Sequence, residues 1–404
     1  MAQKPLLTYI PALTGVRAMA AYLVFISHYC YAFDENFPHA VQRFFTEFHI
    51  GVTIFFTLSG FLIAFRYFDT FELTGDWFKQ YLKNRVARIY PMYFLLTLGA
   101  FASFYFSADE KVTNGFGSPI GLLLMNITFV RGFFDHLKFT GIAQGWSLTV
   151  EECFYFSAPF IFFFAQRYKK FYIQPFIITA TGALLVLIFR NVNWYGFFGN
   201  FTFMMLYTFL GRCFEFFVGI QLALIVRKKT LDGQSKQKLT YLGFVLIFAC
   251  VWFMSTLPIP KGEAAGLQHP LGIITNNYLL SISIALFFYG LLTETSLLKK
   301  ILSNKFVELL GKSSYIFYLI HLGWMYNGLH FSINWLNDYI FDLYDKWGVD
   351  WVSPFQYDNL NVLYAFIILN GVSILLFKTI EEPLNHYIRQ SDFLIKNKKR
   401  TASV

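Results

Sequence analysis

An arginine and a histidine, Arg17 and His28, stand eleven residues apart in the first apolar stretch of the chain. At 100° per residue that spacing carries a helix through about 1100°, roughly 20° beyond three turns, so both side chains share one face about 16 Å apart. A second group opens a later apolar stretch, Trp146-Ser147-Leu148-Thr149-Val150-Glu151-Glu152. A carboxylate beside an imidazole fixes its tautomer and stabilises the imidazolium, which is what a general base requires. Glu151, with Glu152 next to it, is expected at about the depth of His28, so the pair reads as the carboxylate partner of a histidine base. Ser147 can hold a substrate hydroxyl or carry an acyl group itself, and Trp146 stands beside it as a substrate contact. Arg85 and Arg88, one helical turn apart, offer guanidinium forks that suit phosphate oxygens, and with Arg17 they form a candidate site for a phosphate-bearing donor. Ser59 and His321 complete the set as candidate substrate contacts.

Each of these residues also admits a structural role. An ionisable group in a membrane span costs about 2.5–3.5 kcal/mol on insertion scales, which makes it a functional candidate by default. Yet Arg17, Arg85 and Arg88 can serve as positive anchors at the membrane surface, and one glutamate can pair with Arg212. Ser147, Thr149 and His321 can simply bond to a neighbouring helix, and Ser59-Gly60 can allow two helices to approach closely.

The elements that position these residues are membrane helices. The 404-residue chain is 56% hydrophobic, 21% aromatic and only 14% charged, where a soluble domain carries about 25% charged residues. Apolar runs near the 20 residues needed to cross a bilayer recur at 12–33, 48–68, 88–107, 144–166, 171–190, 206–226, 239–257, 275–293, 313–333 and 359–380. The expectation is an all-α integral membrane protein of about ten helices in one bundle, spanning 1–385, with a basic cytoplasmic tail at 386–404. Most of the 33 basic residues fall in alternate loops, from Arg66 to Arg88, Arg167 to Lys170, Arg227 to Lys238, Lys299 to Lys312 and Lys378 to Arg400. That alternation is the positive-inside pattern, and it places both termini in the cytoplasm. It also removes the nucleic-acid reading of the net charge of +9, because the basic residues share no single surface. The loops 34–47, 108–143, 258–274 and 334–358 are then external, and the apolar segment 119–130 is too short to span. Cys30, Cys153, Cys213 and Cys250 show neither disulfide pairing nor metal-ligand spacing, so no metal is expected. Arg17 within the first apolar run argues for a retained helix rather than a cleaved signal.

Taken in order, these pieces resemble the acyltransferase 3 family of membrane acyltransferases, over nearly the whole chain. Arg17 and His28 resemble its arginine, ten residues, histidine motif. Phe56 to Leu62, Arg85 to Pro91, Trp146 to Glu152, Gly311 to His321 and Ile380 to Pro383 are similar to its later motifs. The resemblance implies ten helices in a bacterial inner membrane and an acyl-CoA donor, acetyl-CoA foremost, on the cytoplasmic side. It implies O-acylation of a surface or lipid-linked carbohydrate, such as a polysaccharide or lipopolysaccharide. Some members carry an added extracellular hydrolase-like domain; the sequence ends soon after the tenth run, so none is expected here. The reading that follows places donor phosphates near Arg17, Arg85 and Arg88. His28, oriented by Glu151 or Glu152, removes the proton from an attacking hydroxyl, either that of the sugar directly or that of Ser147 in a two-step route. The rival reading is a transporter or flippase whose buried charges form a proton-coupled path.

Overall fold

Pro11, with no N–H to lose and a φ already helical, opens the first helix, α1 (Pro11–Tyr29). The structure, a computed structural model, describes residues 9–33, 37–107, 116–228 and 238–392. Ten further long helices follow: α2 (Gly51–Tyr67), α3 (Gly75–Ser107), α4 (Trp146–Tyr168), α5 (Gln174–Phe189) and α6 (Phe209–Arg227). Then come α7 (Lys238–Thr256), α8 (Leu280–Thr293), α9 (Lys305–Ile320), α10 (Trp324–Trp347) and α11 (Asp358–Leu376). Seven continuous helical stretches are long and apolar enough to cross a membrane: His39–Tyr67, Gly75–Tyr105, Ala143–Tyr168, Phe201–Arg227, Lys238–Thr256, Pro270–Thr293 and Asp358–Gln390. The chain is therefore a multi-pass membrane protein built from helices.

Three expected spans fall outside those seven, each for a visible reason. α1 takes up the expected run 12–33 only as far as Tyr29, and it carries Arg17, His28 and two tyrosines among its apolar residues. α5 has 16 residues, short of the roughly 20 that a bilayer requires. The run 313–333 is not one helix. α9 stops at Ile320, and Gly323 takes φ +81° before α10 begins, a conformation that costs glycine little and other residues much. The expected loop 334–358 is mostly the second half of α10. The expected third span starts thirteen residues early, so Arg85 and Arg88 lie inside α3 rather than at its end. The last helix continues past 385 through a π-turn (Phe377–Glu381) to Gln390, and residues 393–404 of the expected tail lie outside the described residues.

α1 sits at the centre of the bundle, with Val16, Ala20 and Ala21 wholly buried. α2 and α6 approach until a Cβ at Gly60 would stand 2.2 Å from the carbonyl oxygen of Phe216. The preceding residue, Ser59, bonds instead to Glu151 on α4.

Candidate active site

Five helices, α1, α2, α3, α4 and α9, enclose a cavity of about 100 Å³. α1 contributes Arg17, α2 Ser59, α3 Arg85 and Arg88, α4 Ser147 and Glu151, and α9 Tyr315 and Tyr318. Three guanidinium groups thus meet on one small volume. Arg88 Nη1 donates to Glu381 Oε1 at 2.7 Å, and the π-turn that ends α11 is what presents Glu381 to it. Arg85 lies between two aromatic rings, 5.6 Å from the centre of Tyr67 and 5.7 Å from that of Tyr155. Ser59 donates its hydroxyl proton to Glu151, whose carboxylate faces Arg17, Arg85 and Arg88. The Nε atoms of Arg17 and Arg85 are buried with no hydrogen-bond partner among the described residues. Buried donors without acceptors are costly in a native protein. Two of them on one cavity, both cationic, fit an anionic ligand group such as a phosphate of the expected donor.

A chain of polar side chains leads out of this cavity. Ser147 Oγ lies 2.9 Å from Tyr318 Oη, and Ser147 also donates to the Gln144 carbonyl at 2.9 Å. The Tyr318 ring is 5.6 Å from that of His321, which in turn is 5.5 Å from that of His28. His321 is fully buried, whereas His28 is exposed. Arg131, in a stretch that reads from sequence only as loop, secures the approach to α4. It is fully buried and donates to the carbonyls of Lys138 at 2.6 Å, of Ile142 at 2.5 Å and of Thr140.

The expected residues therefore divide into two groups. Arg17, Arg85, Arg88, Ser59, Ser147 and Glu151 share the cavity; His28 and His321 form the second group. The expected pairing of His28 with Glu151 or Glu152 is not what the structure places there. Glu151 is bonded to Ser59, and Glu152 is buried with Oε1 unpartnered. The physical reason lies in helix geometry: His28 is one residue from the end of α1, while Glu151 is five residues into α4, so Glu151 lies about 6 Å further from its helix end than His28 does from its own. Ser147, at the start of α4, is the residue nearest the level of His28. Nor does either glutamate pair with Arg212, which binds Glu215 at 2.6 Å. Trp146 does not line the cavity; its ring packs on Phe56 and Tyr207. Thr149 donates to the Phe129 carbonyl, a structural role. Sequence reasoning left out Glu381, Tyr155 and Tyr318. Glu381 and Tyr318 lie in the two motifs nearest the C-terminus that carry the family resemblance, which was the available signal.

A family profile described as an acyltransferase domain matches residues 10–377. The chain is 31% identical over 160 residues to acyltransferase MdmB of Streptomyces mycarofaciens, covering 38% of this chain and 40% of that protein. It is 25% identical over 334 residues to the putative peptidoglycan O-acetyltransferase YrhL of Bacillus subtilis, covering 78% of this chain and 48% of that protein. To the peptidoglycan O-acetyltransferase OatA of Listeria monocytogenes it is 26% identical over 325 residues, covering 78% and 49%. The chain spans about half the length of the curated relatives it matches. No solved structure matches it.

Proposed function

Because this chain belongs to the acyltransferase 3 family, we propose that it is a membrane O-acetyltransferase that moves an acetyl group from acetyl-CoA to a hydroxyl of a carbohydrate. The observation that carries this reading is the cavity on which Arg17, Arg85 and Arg88 converge, joined through Ser147 and Tyr318 to His321 and His28. Arg17 and Arg85, with their unpaired Nε donors, hold the anionic groups of the donor at one end. Ser147 and Tyr318 line the other end, towards the histidines.

In this reading α1, α5 and the α9–α10 pair complete ten crossings with the seven long apolar stretches, and both termini face the cytoplasm. The arginine cavity then opens to cytoplasmic acetyl-CoA, and exposed His28 lies towards the outer face of the inner membrane. His28 accepts the proton of the acceptor hydroxyl as its oxygen attacks the thioester carbonyl; a C–O bond forms, the C–S bond breaks and the sulfur leaves as thiolate. Direct attack by the acceptor is preferred over an acyl-Ser147 intermediate, because Ser147 Oγ is already engaged by Gln144 and Tyr318. Two of the relatives are named as peptidoglycan O-acetyltransferases, and a peptidoglycan-like or other surface glycan is the acceptor class proposed.

The test is purified protein in proteoliposomes with isotope-labelled acetyl-CoA and surface glycan fragments, read by mass spectrometry. An acetyl mass gained by the glycan, with CoA thiol released, is the expected result. Passage of glycan across the vesicle without thioester consumption would establish the transporter instead.

A further inference from the structure

We infer that His321 is the positioning residue for His28: its bare Nε2 accepts an N–H from the His28 ring, fixing the tautomer in which the other nitrogen of His28 is free to act as base. This rests on the acetyl-transfer reading and adds to it the partner that sequence reasoning had sought in Glu151.

The His321 tautomer follows from its neighbours. Nδ1 lies 2.8 Å from the carbonyl oxygen of Tyr318. A carbonyl only accepts, so Nδ1 carries the proton and, in a neutral ring, Nε2 is a lone pair. That Nε2 is buried and has no partner among the described residues. The ring is held from several sides. It lies nearly parallel to Phe317, with 6.1 Å between centroids and 7° between planes, and Phe25 meets it edge-on at 6.3 Å. The His321 carbonyl accepts from Tyr29 Oη at 2.6 Å. Helix α9 ends at this residue, and the turn at Gly323 follows.

The candidate donors to Nε2 are few. Tyr29 Oη is committed to the His321 carbonyl, and Tyr318 Oη to Ser147 and the Gln144 carbonyl. His28 remains. Its ring is 5.5 Å from that of His321 with 36° between planes, a separation from which a small rotation of the exposed His28 side chain brings facing nitrogens into N–H···N reach. His321 has no exposed surface, so an arriving hydroxyl meets His28 and not His321. When His28 takes up the proton, its bond to Nε2 becomes charge-assisted and strengthens. His321 thereby does for His28 what a buried carboxylate does for the base of a serine hydrolase, without adding a negative charge to the bundle.

The experiment compares His321→Leu, His321→Gln and the parent protein, each shown to be folded by thermal scanning. Glutamine can donate its amide N–H to the Tyr318 carbonyl and offer Oε1 to His28; leucine fills similar space and offers neither. Expected for His321→Leu is a loss of kcat of at least about tenfold with the KM for acetyl-CoA unchanged. The loss stays well below the about 10⁴-fold seen when a triad carboxylate is neutralised, because a neutral imidazole stabilises an imidazolium less than an anion does. His321→Gln should recover most of it. Nitrogen-15 spectra of histidine-labelled protein in bilayers, with His28 assigned by its loss in His28→Ala, supply a readout independent of turnover. Parent and His321→Gln should show one fixed His28 tautomer, and His321→Leu a mixture. An unchanged kcat in His321→Leu, a glutamine variant no better than leucine, or the same His28 spectrum in all three overturns the inference. Were the parent to transfer no acetyl group at all, the function reading would fall while the spectra still decided the histidine contact.

Discussion

Arg88 and Glu381 form an ion pair whose disruption has a calculable cost. Their separation is 2.7 Å, with Glu381 1% exposed and Arg88 25% exposed. Glu381 Oε2 has no hydrogen-bond partner among the described residues, so Arg88 is the one direct ion pair of the carboxylate there, with the Arg17 charge further off. Arg88→Ala leaves a buried carboxylate unpaired, and breaking a buried pair from one side costs about 3–5 kcal/mol. At about 2 °C per kcal/mol for a large chain, that is a fall of roughly 6–10 °C in the unfolding midpoint. Replacing both partners, as in Arg88→Ala with Glu381→Leu, removes the stranded charge, and a buried pair exchanged for apolar residues is often neutral to stability. The double variant should therefore be the more stable of the two. Intrinsic fluorescence from the eight tryptophans follows the unfolding in detergent or nanodiscs. If the double variant unfolds at or below the midpoint of Arg88→Ala, the pair does not hold α3 to the end of α11 and the assignment is wrong.

Arg85, unlike Arg88, has no ion-pair partner among the described residues, so Arg85→Ala should act on the donor: losing a charge-assisted bond of about 1.5–3 kcal/mol weakens acetyl-CoA binding roughly 10- to 150-fold. Arg85→Lys should restore only part of it for want of the planar fork, and an unchanged donor Kd in Arg85→Ala, measured by calorimetry, would return the residue to a structural role. His28→Ala should lower acetyl transfer by about 10² or more while donor binding persists; near-normal transfer by folded variant protein would remove His28 as the base. Single cysteines in a cysteine-free background should react with an impermeant reagent in intact cells at Gly262 but not at Lys228, and labelling at Lys228 would invert the proposed topology.

Seven of the ten expected spans were legible because a bilayer of fixed thickness demands apolar runs of fixed length, and the sequence reports those runs directly. The break between α9 and α10 was not. Residues 313–333 are apolar enough to read as one span, and what stops the helix is the backbone around Gly323, which hydropathy does not encode. The second half of α10 was read as loop because its aspartates and asparagines dilute the apolar pattern over Trp324–Trp347. Within the site, Arg17 and Glu151 stood out as charges within apolar runs and Arg85 and Arg88 as a pair of guanidinium forks at the start of one, and the four do share one cavity. The partner of His28 was misjudged because depth estimated from span boundaries is uncertain by a helical turn, and a turn is what separates Ser147 from Glu151. Glu381 was marked only by the motif it lies in, and its contact with Arg88 could not be read ahead because its placement depends on a π-turn near the end of a 33-residue helical stretch.

The two clusters are held in register by the same pair of helices. α1 carries Arg17 at one end and His28 at the other, about 16 Å apart. α9 carries Tyr315 and Tyr318 on the cavity and ends in His321. Between those ends the helices are joined by a ladder of rings: Tyr22 meets Phe317 at 5.2 Å, Phe25 meets Phe317 at 5.8 Å, and Tyr29 donates to the His321 carbonyl. A slip of either helix by one turn would break every rung together, so Arg17 on α1 and the two histidines are held in one register. On the proposed function, a donor anchored by its charge at Arg17 and an acceptor met at His28 would be brought together by a fixed length of helix. Reacting groups entering from opposite faces of the membrane would then need no large motion of the bundle, because the distance between Arg17 and His28 is already set by α1.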